Sequence, residues 1–207
     1  MAVKSNFKNM VLCLFFVCLV CSAILGVVYA MTKDPISKTE AAKTTKSIAL
    51  VVPHFDAEPV ADTVSFNGAD VVYYTTVNGG KPSGYAIESE TSGFGGVLKL
   101  MVGITPDGKV YNTSVLKCNE TPGLGAKCTT DESFISQFKG FDPSVKKLVV
   151  KKDGGDVDAI TASTITSRAY ALAIKNAVDF FAQNLAETSQ TMNQTAVDST
   201  AVKNMEE

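Results

Sequence analysis

The chain has 207 residues, 19 basic and 21 acidic side chains, a formal net charge of −2 and a single histidine, His54. That length fits one domain with appendages. The charge balance excludes the clustered basic excess of a nucleic-acid surface, and one histidine excludes catalysis by a histidine pair.

Residues 1–9 are polar and carry Lys4 and Lys8, after which Val11 to Ala30 contains no charge. Those 20 residues, at ~1.5 Å rise each, span roughly 30 Å, the hydrocarbon thickness of a bilayer. Val28-Tyr29-Ala30 loosely satisfies a leader-peptide cleavage pattern, but the apolar run exceeds the about 7–15 residues usual in such leaders. The expectation is a retained anchor. Lys4, Lys8 and the amino terminus on a short flank argue for the N-terminus inside and the remainder outside, with Lys33 and Lys38 opposing on the other flank. Cys13, Cys18 and Cys21 fall within the apolar run, where a thiol behaves as a small hydrophobe, and their spacing fits no metal motif. Removing Lys4 and Lys8 leaves 17 basic against 21 acidic residues, so the rest of the chain is mildly acidic.

Thr39 to Phe55 reads as a helix or linker. Val71 to Val77 is β-branched and aromatic and is followed by the turn Asn78-Gly79-Gly80-Lys81-Pro82, so a hairpin is expected with Gly84 to Glu88 as its return strand. After Gly93-Phe94-Gly95-Gly96, Val97 to Ile104 reads as a strand, and Pro106-Asp107-Gly108 turns the chain into Val110 to Leu116. Cys118 and Cys128 flank a Pro-Gly turn; an oxidising compartment permits a disulfide there, and the sequence carries no information on their distance. Glu132 to Phe138 has Phe134, Ile135 and Phe138 at helical spacing. Lys146 to Lys151 is Val-rich and reads as a strand. Ala169, Leu172, Ala173, Val178 and Phe181 give Ser167 to Asn184 an apolar helical face. Beyond Asn184 the composition is polar and suggests a disordered tail. Short strands followed by helices indicate an α+β domain with a mainly antiparallel sheet and packed helices.

Between the Asp153-Gly154-Gly155-Asp156 turn and the last helix lies Asp158-Ala159-Ile160-Thr161-Ala162-Ser163-Thr164-Ile165-Thr166. Four hydroxyl side chains crowd the start of that helix, where unpaired N–H groups and the positive end of the dipole favour a phosphate or another anion. Ser and Thr are also the ordinary N-cap residues, so these residues alone leave both readings open.

This segment resembles the flavinylation motif of the periplasmic FMN-binding domain family, [S/T]-G-A-[T/S] after an Asp and before a helix. In that family a flavin transferase joins the FMN phosphate to the hydroxyl of the last motif residue. The matching positions here are Thr161-Ala162-Ser163-Thr164, which makes Thr164 the implied acceptor. Ala162 replaces Gly and Ser163 replaces Ala; both remain small, but an alanine is strained if the backbone there needs positive φ. The glycine-rich segment 93–96 with its following strand and turn is similar to a hairpin of the family. Glu120-Thr121-Pro122-Gly123-Leu124-Gly125 matches the family's E-T-P-G-L-G loop at every position, with Gly123 and Gly125 able to let backbone approach a planar ligand.

The resemblance implies covalent FMN on Thr164, with Thr161, Ala162, Ser163, Ile165 and Thr166 around the phosphate and Glu120, Thr121, Leu124 and Gly125 toward the ring. It implies no acid–base catalytic residue and no metal, because the redox chemistry resides in the flavin. The implied layout is a cytoplasmic N-terminus (1–9), a transmembrane helix (10–31), a membrane-proximal helix or linker (32–70), an FMN-binding domain (71–184) on the periplasmic side of a bacterial inner membrane, and a polar tail (185–207). Chain length and the single span favour, within the family, the G-type subunits of Rnf-type complexes. Those complexes couple electron transfer between ferredoxin and NAD to Na⁺ or H⁺ transport. The implied partners are the other subunits, the transferase and membrane lipid. The alternatives are a C-type subunit of a Na⁺-translocating NADH:quinone reductase and a flavin-free tethered ectodomain.

Overall fold

The computed structural model of the chain describes residues 7–186; the expected polar tail lies almost wholly outside the described residues. The chain divides into two units, residues 1–43 and 44–207.

Helix α1 runs from Phe7 to Val51. Its N-terminal part is long and apolar enough to cross a membrane, and its apolar side chains are exposed, as on a lipid-facing helix. The last turns, from Thr44, belong to the second unit.

The second unit is built on five antiparallel strands in sequence order: β1 (Val60–Phe66), β2 (Ala69–Asn78), β3 (Lys81–Ser92), β4 (Val97–Ile104) and β5 (Val110–Cys118). Helices α2 (Glu132–Ser136) and α3 (Thr164–Asn184) follow. Because side chains alternate across a strand, β4 can be buried on both faces. Leu98, Leu100, Val102 and Ile104 join Tyr85 and Ile87 in a core completed by Ala173, Ile174, Ala177, Phe180 and Phe181 of α3. On the other face Met101 and Ala86 meet Ile48, Val51 and Val52. Complete burial of each large apolar side chain contributes about 1.5–3 kcal/mol, which is why α3 is held along its length. A second aromatic group sits at its N-terminal half, where Tyr170 stacks on Phe138 at 5.0 Å between centroids and shares a 2.8 Å hydrogen bond with Thr113.

The sheet and the helical packing agree with the α+β expectation, and strand β4 has the expected bounds. Three details differ. Strand β1 forms where no strand is expected. Helix α3 begins at Thr164, three residues before the expected Ser167, so the acceptor-like threonine is helical. The Val-rich stretch 146–151 is not a sheet strand. Val150 makes only an isolated bridge to Val157, and Lys151 N and Val157 N donate to Val157 O and Val149 O at 2.8 and 3.0 Å. The physical cause is Gly155, at which a Cβ would stand 2.0 Å from Val149 O. The missing side chain lets the chain fold back on itself and satisfy those valines locally.

Candidate functional site

The tight loop 147–157 delivers the chain to α3 in a fixed direction. Asp158 N donates to Gln137 Oε1 at 2.8 Å, and Gln137 Nε2 returns a bond to Asp158 O at 3.1 Å. Ser167 Oγ then accepts from Ile160 N at 2.9 Å and donates to Ser163 O at 3.0 Å. This buried hydroxyl holds the turn preceding α3, a role that its place in the sequence did not signal.

Within that turn Ala162 has φ +61°. An L-residue in this left-handed region is strained by about 1–2 kcal/mol, and the family motif has glycine at the matching position. Ser163 occupies the N-cap position, yet its side chain makes no capping bond. Its Oγ is buried and has no hydrogen-bond partner. A buried hydroxyl without a partner costs about 1–3 kcal/mol, so it marks a place where a polar ligand atom fits. The first helix-forming amide bond runs from Ser167 N to Ser163 O, leaving the N–H groups of Thr164, Ile165 and Thr166 ahead of the ladder, as at any helix start.

The facing wall comes from the 120–125 loop. Glu120 is buried, and its carboxylate accepts from Phe94 N at 2.8 Å, Gly95 N at 3.3 Å and Thr166 Oγ1 at 3.0 Å. These three donors substitute for water around the charge. They require the glycines: a Cβ on Gly93 would stand 1.8 Å from Glu120 Oε1, and one on Gly125 would stand 2.6 Å from Glu120 Oε2 and 2.7 Å from Thr166 Oγ1. The close approach at Gly125 is therefore to side chains of the protein itself.

Between the walls is a cleft of about 360 Å³ lined by Phe94, Glu120, Thr121, Leu124, Gly125, Ala162, Ser163, Thr164, Ile165 and Thr166. It brings together every candidate residue except Thr161, which is exposed outside the lining. The addition is Phe94, a 69 % exposed aromatic ring at the rim, where Leu124 and Ile165 are also exposed. Thr166 is occupied with Glu120, whereas Thr164 Oγ1 is half-buried and accepts from Lys152 Nζ at 3.4 Å.

The electrostatics on the Thr164 side are basic but mostly paired. Arg168 binds Asp153 through two bonds of 2.6 and 2.8 Å, and Lys151 pairs with Asp158 at 2.7 Å. The Arg168 bonds hold the Asp153 carboxyl below the usual carboxylate range and raise the guanidinium in turn. Lys152 is the cation directed at Thr164. No group of three or more metal-ligating side chains occurs among the described residues.

Residues 93–179, which contain both walls, match the FMN-binding domain family. The G subunit of the ion-translocating oxidoreductase complex of Shewanella baltica is 36% identical over 183 residues, covering 82% of this chain and 86% of the relative. The chain belongs to the family of G subunits of ion-translocating oxidoreductase complexes. The G subunit of the proton-translocating ferredoxin:NAD(+) oxidoreductase complex of Clostridium ljungdahlii is 42% identical over 110 residues, 52% of this chain and 58% of that one. A crystal structure of the C subunit of the Na(+)-translocating NADH-quinone reductase from Parabacteroides distasonis superposes with a TM-score of 0.48 at 20% identity, over 68% of this chain and 81% of the other.

Proposed function

We propose that this chain is the membrane-anchored flavin subunit of an Rnf-type ion-translocating oxidoreductase complex, with FMN esterified through its phosphate to Thr164 Oγ1. The observation that carries the reading is the pairing, in one cleft, of an accessible Thr164 hydroxyl with the buried, partnerless Ser163 Oγ at the start of α3. A phosphodiester on Thr164 keeps one negative charge. The N–H groups of the first turn, Ser163 Oγ and the Lys152 ammonium are the donors suited to it. Phe94, Leu124 and Ile165 supply apolar cover for a planar ring, and Glu120 keeps the loop and helix walls at a fixed separation.

Bound FMN supplies the one- and two-electron redox chemistry, for which this chain provides position, electrostatics and shielding from water. A covalent ester suits a domain on the periplasmic side of a bacterial inner membrane, where a dissociated flavin would not be regained. That placement follows from reading the N-terminal part of α1 as a single span with Lys4 and Lys8 inside. The partners on this reading are the remaining subunits of the complex, surrounding lipid and a maturing flavin transferase; the transported ion is Na⁺ or H⁺.

The deciding experiment is mass spectrometry of the peptide containing residues 153–168 from protein purified from its own host. The expected result is an increment of FMN less one water, localised to Thr164. A bare peptide would return the flavin-free tethered ectodomain as the better description.

A further inference from the structure

Cys118 ends strand β5, and Cys128 lies in the 3₁₀ turn Gly125–Thr129. Their sulfurs are 3.8 Å apart and both residues are free thiols in this structure. A disulfide has a sulfur–sulfur length of about 2.05 Å, so closing the bond needs a movement of under ~2 Å. That is within reach of side-chain rotation and a small shift of the 3₁₀ turn. The chain between the two cysteines contains Glu120, Thr121, Leu124 and Gly125, one wall of the cleft.

We propose that Cys118 and Cys128 are a thiol–disulfide exchange site that reversibly staples the 119–127 loop to the end of the sheet. The two positions differ in a way that orders the reaction. Cys118 is half-exposed, whereas Cys128 is fully enclosed. Burial pushes the Cys128 thiol up to about 12, with the neighbouring Cys118 and Glu120 adding to the effect. Cys118 therefore meets an external disulfide first. Its thiolate attacks one sulfur of a low-molecular-weight disulfide RSSR, forming Cys118–S–S–R and releasing RS⁻. Cys128, losing its proton to solvent as it reacts, attacks the Cys118 sulfur and expels the second RS⁻. The sum is two protein thiols plus RSSR giving one protein disulfide plus two RSH, so the protein loses two electrons and two protons and RSSR gains them. With no third metal-ligating side chain in the group among the described residues, the pair is better suited to this exchange than to holding a metal.

The site stands independently of the flavin reading; only its consequence for the cofactor wall rests on that reading. Trypsin cuts after Lys117 and Lys127, so the two cysteines begin separate fragments, 118–127 and 128–139. The test uses the full chain in detergent micelles, reduced, desalted, incubated with oxidised glutathione, acid-quenched, alkylated and digested. The expected product is a linked pair of these fragments that separates on reduction. In Cys128→Ser the expected product is a stable glutathione adduct on Cys118, and in Cys118→Ser native Cys128 stays unmodified over the same interval. Hydrogen exchange of the 119–127 amides should slow in the oxidised wild-type chain. Absence of the linked pair in the wild-type chain, or glutathione on both cysteines in place of it, overturns the exchange site. Equal reactivity of the two single variants overturns the order of attack, and unchanged exchange in 119–127 overturns the staple.

Discussion

Thr166 donates its hydroxyl hydrogen to Glu120 Oε2 at 3.0 Å across a sequence separation of 46 residues. This buried hydroxyl, two residues beyond the motif, thus holds the two cleft walls together. Thr166→Val keeps the volume and removes one of three donors to a buried carboxylate. A hydrogen bond to a charged group contributes about 1.5–3 kcal/mol, so thermal or denaturant unfolding should show a loss of that size. The flavin should still attach, giving a fluorescent band that survives denaturing electrophoresis. Loss of the band from a chain that remains folded would mean that Thr166 is needed for attachment.

Thr164→Val is the complementary substitution. Thr164 Oγ1 has one long contact, to Lys152, so its removal should change stability by under about 0.5 kcal/mol. It should abolish the covalent band completely. A Thr164→Val chain that retains covalent flavin would show that another hydroxyl is the acceptor.

Gly125→Ala introduces a methyl group 2.6 Å from Glu120 Oε2 and 2.7 Å from Thr166 Oγ1. Overpacking of this kind costs about 1–3 kcal/mol, and here the relief must come from parting the Glu120–Thr166 bond. A lowered Tm is the expected result, with flavin still attached as in Thr166→Val. A wild-type Tm would show that the loop yields freely.

Ala162→Gly tests the left-handed backbone at +61°. Relief of about 1–2 kcal/mol of strain, offset by about 0.4–1 kcal/mol from the freer unfolded chain, leaves a gain between about 0 and 1.6 kcal/mol. Attachment at Thr164 should be maintained or increased. Destabilisation would place the conformation of residue 162 outside the left-handed region.

The alkaline limb of stability follows from groups whose neutral forms are favoured by folding. Cys128 rises from 9.0 to about 12, and burial also raises Tyr170, Tyr73 and Tyr74 above 10.0. A raised folded-state pKa gives stability that is complete below the unfolded value and is lost as pH rises through the folded one. Under reducing conditions Tm should be level up to about pH 9 and then fall. In Cys128→Ala the onset should move toward pH 10, where the tyrosines begin to contribute. A level Tm to pH 11 in the wild-type chain would contradict both expectations.

Much of the sheet was legible because its central strands carry β-branched and aromatic runs closed by Gly-containing turns. Strand β1 was not: Asp62 interrupts the apolar face of Val60, Val64 and Phe66, and most of its residues are exposed. The local signal for it is Asn67-Gly68, whose φ values of +53° and +80° make the hairpin turn into β2. The stretch 146–151 misled for the opposite reason, since valine content says nothing of a local fold-back set by Gly155. In the cleft, the hydroxyl cluster stood out by composition, and the 120–125 loop only by its likeness to the family's loop. Their mutual contact through Glu120 is a tertiary fact, and so are the exposed position of Phe94 and the internal use of Ser167.

The walls of the cleft come from residues 94, 120–125 and 162–166, segments that an extended chain holds far apart. No recognisable platform for a modifying enzyme is present until the strands have zipped and α3 has docked. On the proposed reading, flavin attachment would therefore be a late event, performed on the folded domain, and any variant that folds slowly would be under-loaded even with Thr164 intact.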